Sequence, residues 1–238
     1  TFSIKEDMAD YTAKSIKLTI EMTSYAFVGK NVIARVKYPC PGLFSVSNSM
    51  GALALATEIG VAISTSCEGI AAAKGVPGRF EVIKTDTPFK VIRDFAHTPD
   101  GLEKALDALR SVVEGRIIVV FGCAGNRDRQ KRQYMIRAVA QRADLVVLTS
   151  DNPRHEDPMQ IIEDGMPGFA GIKVKRKIIP DRYEAIKWAL KNCYEGDTLL
   201  LAGKGHEDYQ VLDHGTIHFD EREIVAEILN SFKKAEEK

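Results

Sequence analysis

Four short polar stretches hold most of the residues whose types and spacing could do chemistry. In Ser150-Asp151-Asn152-Pro153-Arg154-His155-Glu156 an acid, an amide and a guanidinium lie close together beside a stiffening proline. Arg154 can grip a carboxylate with two parallel hydrogen bonds while Asp151 accepts from an ammonium group, a combination suited to a zwitterion. A solvated salt bridge would account for the same pair. Ala202-Gly203-Lys204-Gly205-His206-Glu207-Asp208 sets two glycines beside Lys204, His206 and Glu207, so a backbone could approach a ligand closely next to charge. Gly122-Cys123-Ala124-Gly125-Asn126-Arg127-Asp128 is a glycine-containing turn that could approach an anion, with Arg127 able to reach a crevice, or it is an ordinary tight turn. Asp94-Phe95-Ala96-His97-Thr98-Pro99-Asp100 runs into a helix start, where free N–H groups and the positive dipole end favour an anion and His97 sits on the threshold. Thr98 and Asp100 would also serve there as simple caps. A metal site built from His97, His206 and nearby acids has suitable ligand types but no ligand spacing to support it. Neither G-x-G-x-x-G nor the phosphate loop G-x-x-x-x-G-K-[ST] occurs anywhere in the chain.

These stretches can act together only if the fold gathers them, and the pattern between them provides for that. Strands are expected over residues 91–94, 117–121, 145–149, 174–179 and 198–201, each lying between helical segments, which is the signature of a parallel, Rossmann-like α/β sheet. In such a sheet ligands bind outside the carboxyl ends of the strands, where the four stretches fall. Thr98 with Pro99, Asp157 with Pro158, Asp181 with Glu184 and Asp220 with Glu223 give caps and first-turn prolines to the helices. Ile224, Val225, Ile228, Leu229 and Phe232 form one apolar stripe, and Met135, Ile136, Val139 and Ala140 another; both read as core. Before this region the pattern differs. Ile16, Leu18, Ile20 and Met22 alternate with polar residues, predicting a strand over 15–22, with a second over 31–37 after the turn residues Gly29-Lys30-Asn31. A small-residue helix is expected over about 47–59 and a short helix ending near Gly75. Helix breakers in Gly75-Val76-Pro77-Gly78-Arg79 and Thr87-Pro88 place a domain boundary near residue 88, giving domains 1–88 and 89–238.

The 33 basic and 33 acidic residues balance to zero, and no run of like charges resembles a nucleic-acid-binding tail, so small molecules or proteins are the expected partners. Cys40, Cys67, Cys123 and Cys193 are scattered, without a C-x-x-C pair, and read as free thiols of a reducing cytosol. No apolar stretch is long enough to span a bilayer and no cleavable leader opens the chain, so a soluble, cytoplasmic protein without a membrane partner is expected. Position 1 is Thr and an alternating strand follows soon after, which suggests a truncated polypeptide.

Taken in order, Asp94-Phe95-Ala96-His97-Thr98-Pro99-Asp100-Gly101-Leu102-Glu103-Lys104, Gly122 to Asp128, Asp151-Asn152-Pro153-Arg154 and Ala202-Gly203-Lys204-Gly205-His206-Glu207-Asp208-Tyr209-Gln210 resemble the Mur ligases, and the similarity extends over essentially the whole chain. Pro41-Gly42-Leu43-Phe44-Ser45-Val46-Ser47-Asn48 and Gly78-Arg79-Phe80-Glu81 look like the end of that family's central ATPase domain. The resemblance therefore implies that 1–88 is the remnant of this domain and 89–238 the carboxyl-terminal, amino-acid-binding domain. It is strongest to the member that adds meso-diaminopimelate to UDP-N-acetylmuramoyl-L-alanyl-D-glutamate in peptidoglycan synthesis. By the resemblance Arg127, Asp151, Asn152, Arg154, Gly203 and Glu207 hold diaminopimelate, and Arg79, Asp94 and His97 face ATP. In the family's reaction ATP phosphorylates a substrate carboxylate, the amine of the incoming amino acid attacks the acyl phosphate, and Mg2+ offsets charge. The phosphate loop and most Mg2+ ligands would lie upstream of residue 1, so no catalytic or metal-binding residue is assigned here and the chain is not expected to turn over alone. Phe95, Ala124 and Asn126 stand where the family usually has tyrosine, glycine and aspartate. The alternatives are a lysine-adding form of the ligase, a ligase like folylpolyglutamate synthetase, and a non-catalytic Rossmann-like ligand-binding module.

Overall fold

The computed structural model describes residues 1–236. The chain divides into two compact units between Gly75 and Val76. That division precedes the boundary expected near residue 88, because a short strand in the intervening segment pairs with the second unit's sheet.

In the first unit β1 (Phe2–Ser3), β2 (Tyr11–Leu18), β3 (Thr23–Gly29) and β4 (Val32–Tyr38) form a sheet in that order, antiparallel except for the β1–β2 pair. Helices α1 (Leu43–Glu58) and α2 (Ile63–Ala72) follow. Tyr25, Phe27 and Val36 of the sheet pack with Val46, Met50 and Leu53 of α1, and the buried Tyr25 hydroxyl meets Ser49 Oγ at 2.8 Å. The single strand expected over 15–22 is two elements. Residues 19–22 are a turn, closed by Thr19 N donating to Met22 O at 2.9 Å and Met22 N donating to Thr19 Oγ1 at 3.1 Å. The alternation runs through that turn because β2 shifts register between Lys14 and Lys17, where Ser15 has φ 51°, and a bulge exchanges the faces of the residues beyond it.

In the second unit β5 (Glu81–Ile83), β6 (Lys90–Asp94), β7 (Ile117–Phe121), β8 (Leu145–Leu148), β9 (Lys175–Ile178) and β10 (Thr198–Ala202) form a sheet ordered β5-β6-β10-β7-β8-β9. Every pair is parallel except β5–β6. The Rossmann-like parallel sheet is therefore as expected, with an antiparallel edge strand, β5, that three residues without clear alternation did not reveal. All five residues of β7 and of β10 are buried, consistent with helices covering both faces of a parallel sheet. Those helices are α3 (Pro99–Arg110), α4 (Gln130–Ala140), α5 (Pro158–Gly165), α6 (Arg182–Lys191) and α7 (Glu221–Glu236). Their starts are capped as the residue types require: Thr98 accepts from Gly101 N, Asp157 from Met159 N and Gln160 N, and Asp181 from Glu184 N. Ile224, Val225 and Ile228 of α7 are buried among Val91, Val120, Val147 and Leu201. An unexpected hairpin, β11 (Tyr209–Leu212) with β12 (Gly215–His218), stands outside the sheet.

The strand order is what makes the site. β10, last of the parallel strands in sequence, is inserted between β6 and β7, so the carboxyl ends of β6, β10, β7 and β8 lie side by side and the four polar stretches become neighbours. Among the described residues no helix is long and apolar enough to cross a membrane.

Candidate functional site

At the ends of β8 and β10 four side chains share one buried cluster. Lys204 is fully buried and donates from Nζ to Asn152 Oδ1 and to Glu207 Oε2, each at 3.2 Å. Asn152 Oδ1 also accepts from Val211 N at 2.9 Å, which leaves Nδ2 to donate to Glu207 Oε2 at 2.9 Å. Asp151 is 6% exposed, and its Oδ1 is buried without a hydrogen bond; Lys204 Nζ stands 3.7 Å away, too far to donate well. A buried carboxylate oxygen with an open acceptor position is costly to leave so and suits an incoming ammonium group. Gly203, with φ 113°, brings the β10 end to within 3.9 Å of the Asp151 carboxyl, measured from an ideal Cβ position.

Arg154 belongs to the same loop. Its backbone, at φ 54°, is held by Arg154 N donating to Val211 O at 3.0 Å. Its Nη1 donates to Gly125 O at 2.8 Å and to Asn152 O at 3.4 Å, and among the described residues no carboxylate pairs with the guanidinium. The remaining N–H groups of the fork are thus available to a ligand carboxylate. Gly125 is required at the contact between the two loops, since a Cβ there would lie 1.9 Å from Pro153 O. Arg127, on the Gly125 loop, is exposed and has no hydrogen bond or ion pair among the described residues.

Behind these loops the buried Arg132 donates to both oxygens of Glu156, at 2.9 and 3.0 Å, and to Asp164 at 2.7 Å, while Glu156 also accepts from Asn126 N. Burial alone would raise the Glu156 carboxyl, but the Asn126 N–H and the guanidinium groups of Arg132 and Arg129 outweigh it and hold the group below the usual range. A depressed carboxyl contributes stability that is present above its unfolded value of about 4.3 and is lost as pH falls through the lower folded value. The thermal midpoint of the unaltered chain is therefore expected to fall more steeply between about pH 5 and about pH 3 than that of Glu156→Gln, and parallel declines would refute the coupling.

Arg79, Asp94 and His97 gather at the carboxyl end of β6. Asp94 accepts from Phe80 N at 2.7 Å and from Ala96 N at 2.8 Å, and burial raises its carboxyl above the ordinary range. Arg79 lies over the Phe95 ring, 4.6 Å from its centroid, and the His97 and His206 rings stand 4.7 and 5.1 Å from the same ring. Gly78 permits this closure, since a Cβ there would meet His206 N at 2.0 Å. The structure thus separates the predicted residues into two groups: Asp151, Asn152, Arg154, Gly203 and Glu207 in one cluster at the ends of β8 and β10, with Arg127 on an adjoining loop, and Arg79, Asp94 and His97 around an aromatic and cationic rim.

Sequence reasoning singled out Lys204 only as a loop charge beside two glycines and left Gln210, Arg132 and Arg182 without a role at the site. Gln210 Nε2 donates to Asp151 O at 2.7 Å. Arg182, also fully buried, donates to Ser150 O at 3.2 Å and Ala202 O at 3.0 Å, and pairs with Glu221 at 2.7 Å. The position of Lys204 between two glycines, on the residues adjoining Glu207, was the available signal; Arg132 and Arg182 sit on helices and carried none.

A mostly parallel sheet flanked by helices, with an acid, an amide and a guanidinium in the loop that follows β8, is a Rossmann-like α/β architecture. The family model described as Mur ligase, glutamate ligase domain matches residues 78–205, and the chain belongs to the Mur ligase family. It is 42% identical over 232 residues to UDP-N-acetylmuramoyl-L-alanyl-D-glutamate--2,6-diaminopimelate ligase 1 of Clostridium acetobutylicum, covering 96% of this chain and 47% of that protein. The corresponding ligase of Solibacter usitatus is 44% identical over 197 residues, covering 83% of this chain and 40% of the relative. A solved structure of a ligase bearing the same name, 35% identical, superposes with a TM-score of 0.73, covering 98% of this chain and 48% of that one. The chain spans about half the length of the curated relatives it matches.

Proposed function

We propose that this chain carries the amino-acid-accepting part of an ATP-dependent ligase that joins meso-diaminopimelate to UDP-N-acetylmuramoyl-L-alanyl-D-glutamate in peptidoglycan synthesis. Two features together support the reading: the relatives are named as 2,6-diaminopimelate ligases, and the site pairs an unpartnered buried oxygen of Asp151 with the Arg154 fork, which has no carboxylate partner among the described residues. Of these the pocket's pairing carries the proposal, because it offers both halves of an amino-acid zwitterion. Arg154 takes the distal carboxylate, Asp151 and Glu207 take the ammonium group beside it, Asn152 and Gly203 shape the wall, and Arg127 closes over the ligand. Held this way at one end, the other amine is left free to attack an acyl group, so the contribution of these residues is orientation.

On the same reading residues 1–75 belong to the family's ATPase domain, and Arg79, Asp94 and His97 face ATP. The rim suits a polyanionic nucleotide: Arg79 and His97 are exposed, and each Asp94 oxygen keeps a lone pair beyond its bond from Phe80 or Ala96 for a ribose hydroxyl. ATP supplies the activating phosphoryl group when bound. Among the described residues no group of three or more His, Cys, Asp or Glu side chains could hold a metal ion.

Calorimetric titration with meso-diaminopimelate and with L-lysine tests the reading. Lysine lacks the distal carboxylate and would leave the Arg154 fork unpaired, a loss expected to weaken binding by about 10- to 100-fold. Tighter binding of lysine would transfer the assignment to a lysine-adding ligase.

A further inference from the structure

We propose that Lys204 is a positioning residue of the amino-acid pocket, whose buried ammonium anchors the Asn152 amide together with Val211 N and holds the carboxylates of Asp151 and Glu207 on either side of one ligand ammonium. The inference rests on the reading of the pocket given above. Three observations carry it. Lys204 is fully buried, its Nζ meets Asn152 Oδ1 and Glu207 Oε2 at 3.2 Å, and it stands 3.7 Å from Asp151 Oδ1. It lies over Tyr209 and Phe219, 5.6 and 5.9 Å from their ring centroids, so the cation is braced by rings as well as by anions.

The charge balance shows what the lysine does. Asp151 Oδ1 and Glu207 Oε2 stand 3.7 and 3.2 Å from Lys204 Nζ, so one ammonium attracts both carboxylates and fixes where each can lie. The three formal charges leave a single negative charge in excess, the amount that one ligand ammonium neutralises. Lys204 and Val211 N both donate to Asn152 Oδ1, which directs the opposite end of that amide, Nδ2, at Glu207. Without the lysine the amide oxygen keeps only the bond from Val211 N, and Glu207 loses its own bond from Lys204 Nζ. Because Lys204 leaves its own Nζ surrounded by protein groups, its effect on a ligand passes through these three side chains.

Crystal structures of the unaltered chain and of Lys204→Met, compared without ligand, test the proposal. The expected result is a shift of about 1 Å or more in the Glu207 or Asp151 carboxylate, with the sheet unchanged. Unmoved side chains in Lys204→Met would overturn it, even if the variant is less stable. Where Lys204→Met does not fold, Lys204→Met/Glu207→Gln removes the uncompensated carboxylate; there the Asp151 carboxylate is read instead, and the same two outcomes apply. A diaminopimelate titration adds a separate reading, with affinity expected to fall about tenfold or more in a variant whose side chains have moved. If the unaltered chain shows no diaminopimelate binding, the assigned ligand fails while the crystallographic comparison still decides the role of Lys204.

Discussion

Arg154→Ala is expected to weaken meso-diaminopimelate binding by about 10- to 100-fold while changing L-lysine binding little. Charge-assisted hydrogen bonds from a guanidinium contribute about 1.5 to 3 kcal/mol, and each 1.4 kcal/mol is a factor of ten. The substitution is clean in one respect: Arg154 already occupies the left-handed region at φ 54°, and alanine carries the same Cβ, so no new backbone strain is introduced. It is less clean in another, because Gly125 O and Asn152 O each lose a donor, and the two loops are expected to loosen. Arg154→Lys separates the effects. It keeps the positive charge but not the planar fork, so an affinity between those of arginine and alanine marks geometry as part of the recognition. Equal diaminopimelate affinity in the unaltered chain and in Arg154→Ala would remove Arg154 from the pocket.

The largest loss of stability is expected from Arg182→Met. Arg182 and Glu221 are both fully buried and paired at 2.7 Å, and Arg182 additionally satisfies the carbonyls of Ser150 and Ala202 at the ends of the site strands. Removing one member of a buried pair leaves a charge without compensation and costs about 3 to 5 kcal/mol. Urea denaturation should register a loss of that size, and Arg182→Met/Glu221→Met should recover most of it, since apolar replacement of both partners is often close to neutral. A loss under about 1 kcal/mol for the single variant would show that water or local relaxation replaces the ion pair. The two variants also differ in reach. Arg154→Ala removes a ligand contact and loosens only the loops around Gly125 and Asn152, whereas Arg182→Met loosens the ends of β8 and β10 and is expected to lower affinity as well.

The family and the parallel sheet were legible because both are written in local terms. Strand and helix periods, capping pairs such as Asp157 with Pro158, and four ordered motifs survive without any knowledge of contacts. The first unit was less legible. The alternation of Ile16, Leu18, Ile20 and Met22 is real, but a bulge at Ser15 and the turn at residues 19–22 reassign its faces, and neither has a strong composition signal. The hairpin β11–β12 escaped notice although Asn152 depends on it through Val211 N. Its value to the site is long-range and cannot be read from residues 209–218 alone.

Amino-acid type and order by themselves determined which chemical groups are available: a guanidinium, acids and an amide at strand ends, and helix starts that expose N–H donors. Only the tertiary structure decided which of those groups face one another. The insertion of β10 between β6 and β7 brings Lys204 and Glu207 beside Asp151 and Asn152, residues separated by more than fifty positions in the chain. It also decided that Lys204, which sequence alone presents as one more polar loop residue, is a fully buried cation. Burial and pairing depend on what the folded chain places around a residue, and a local pattern carries no record of that.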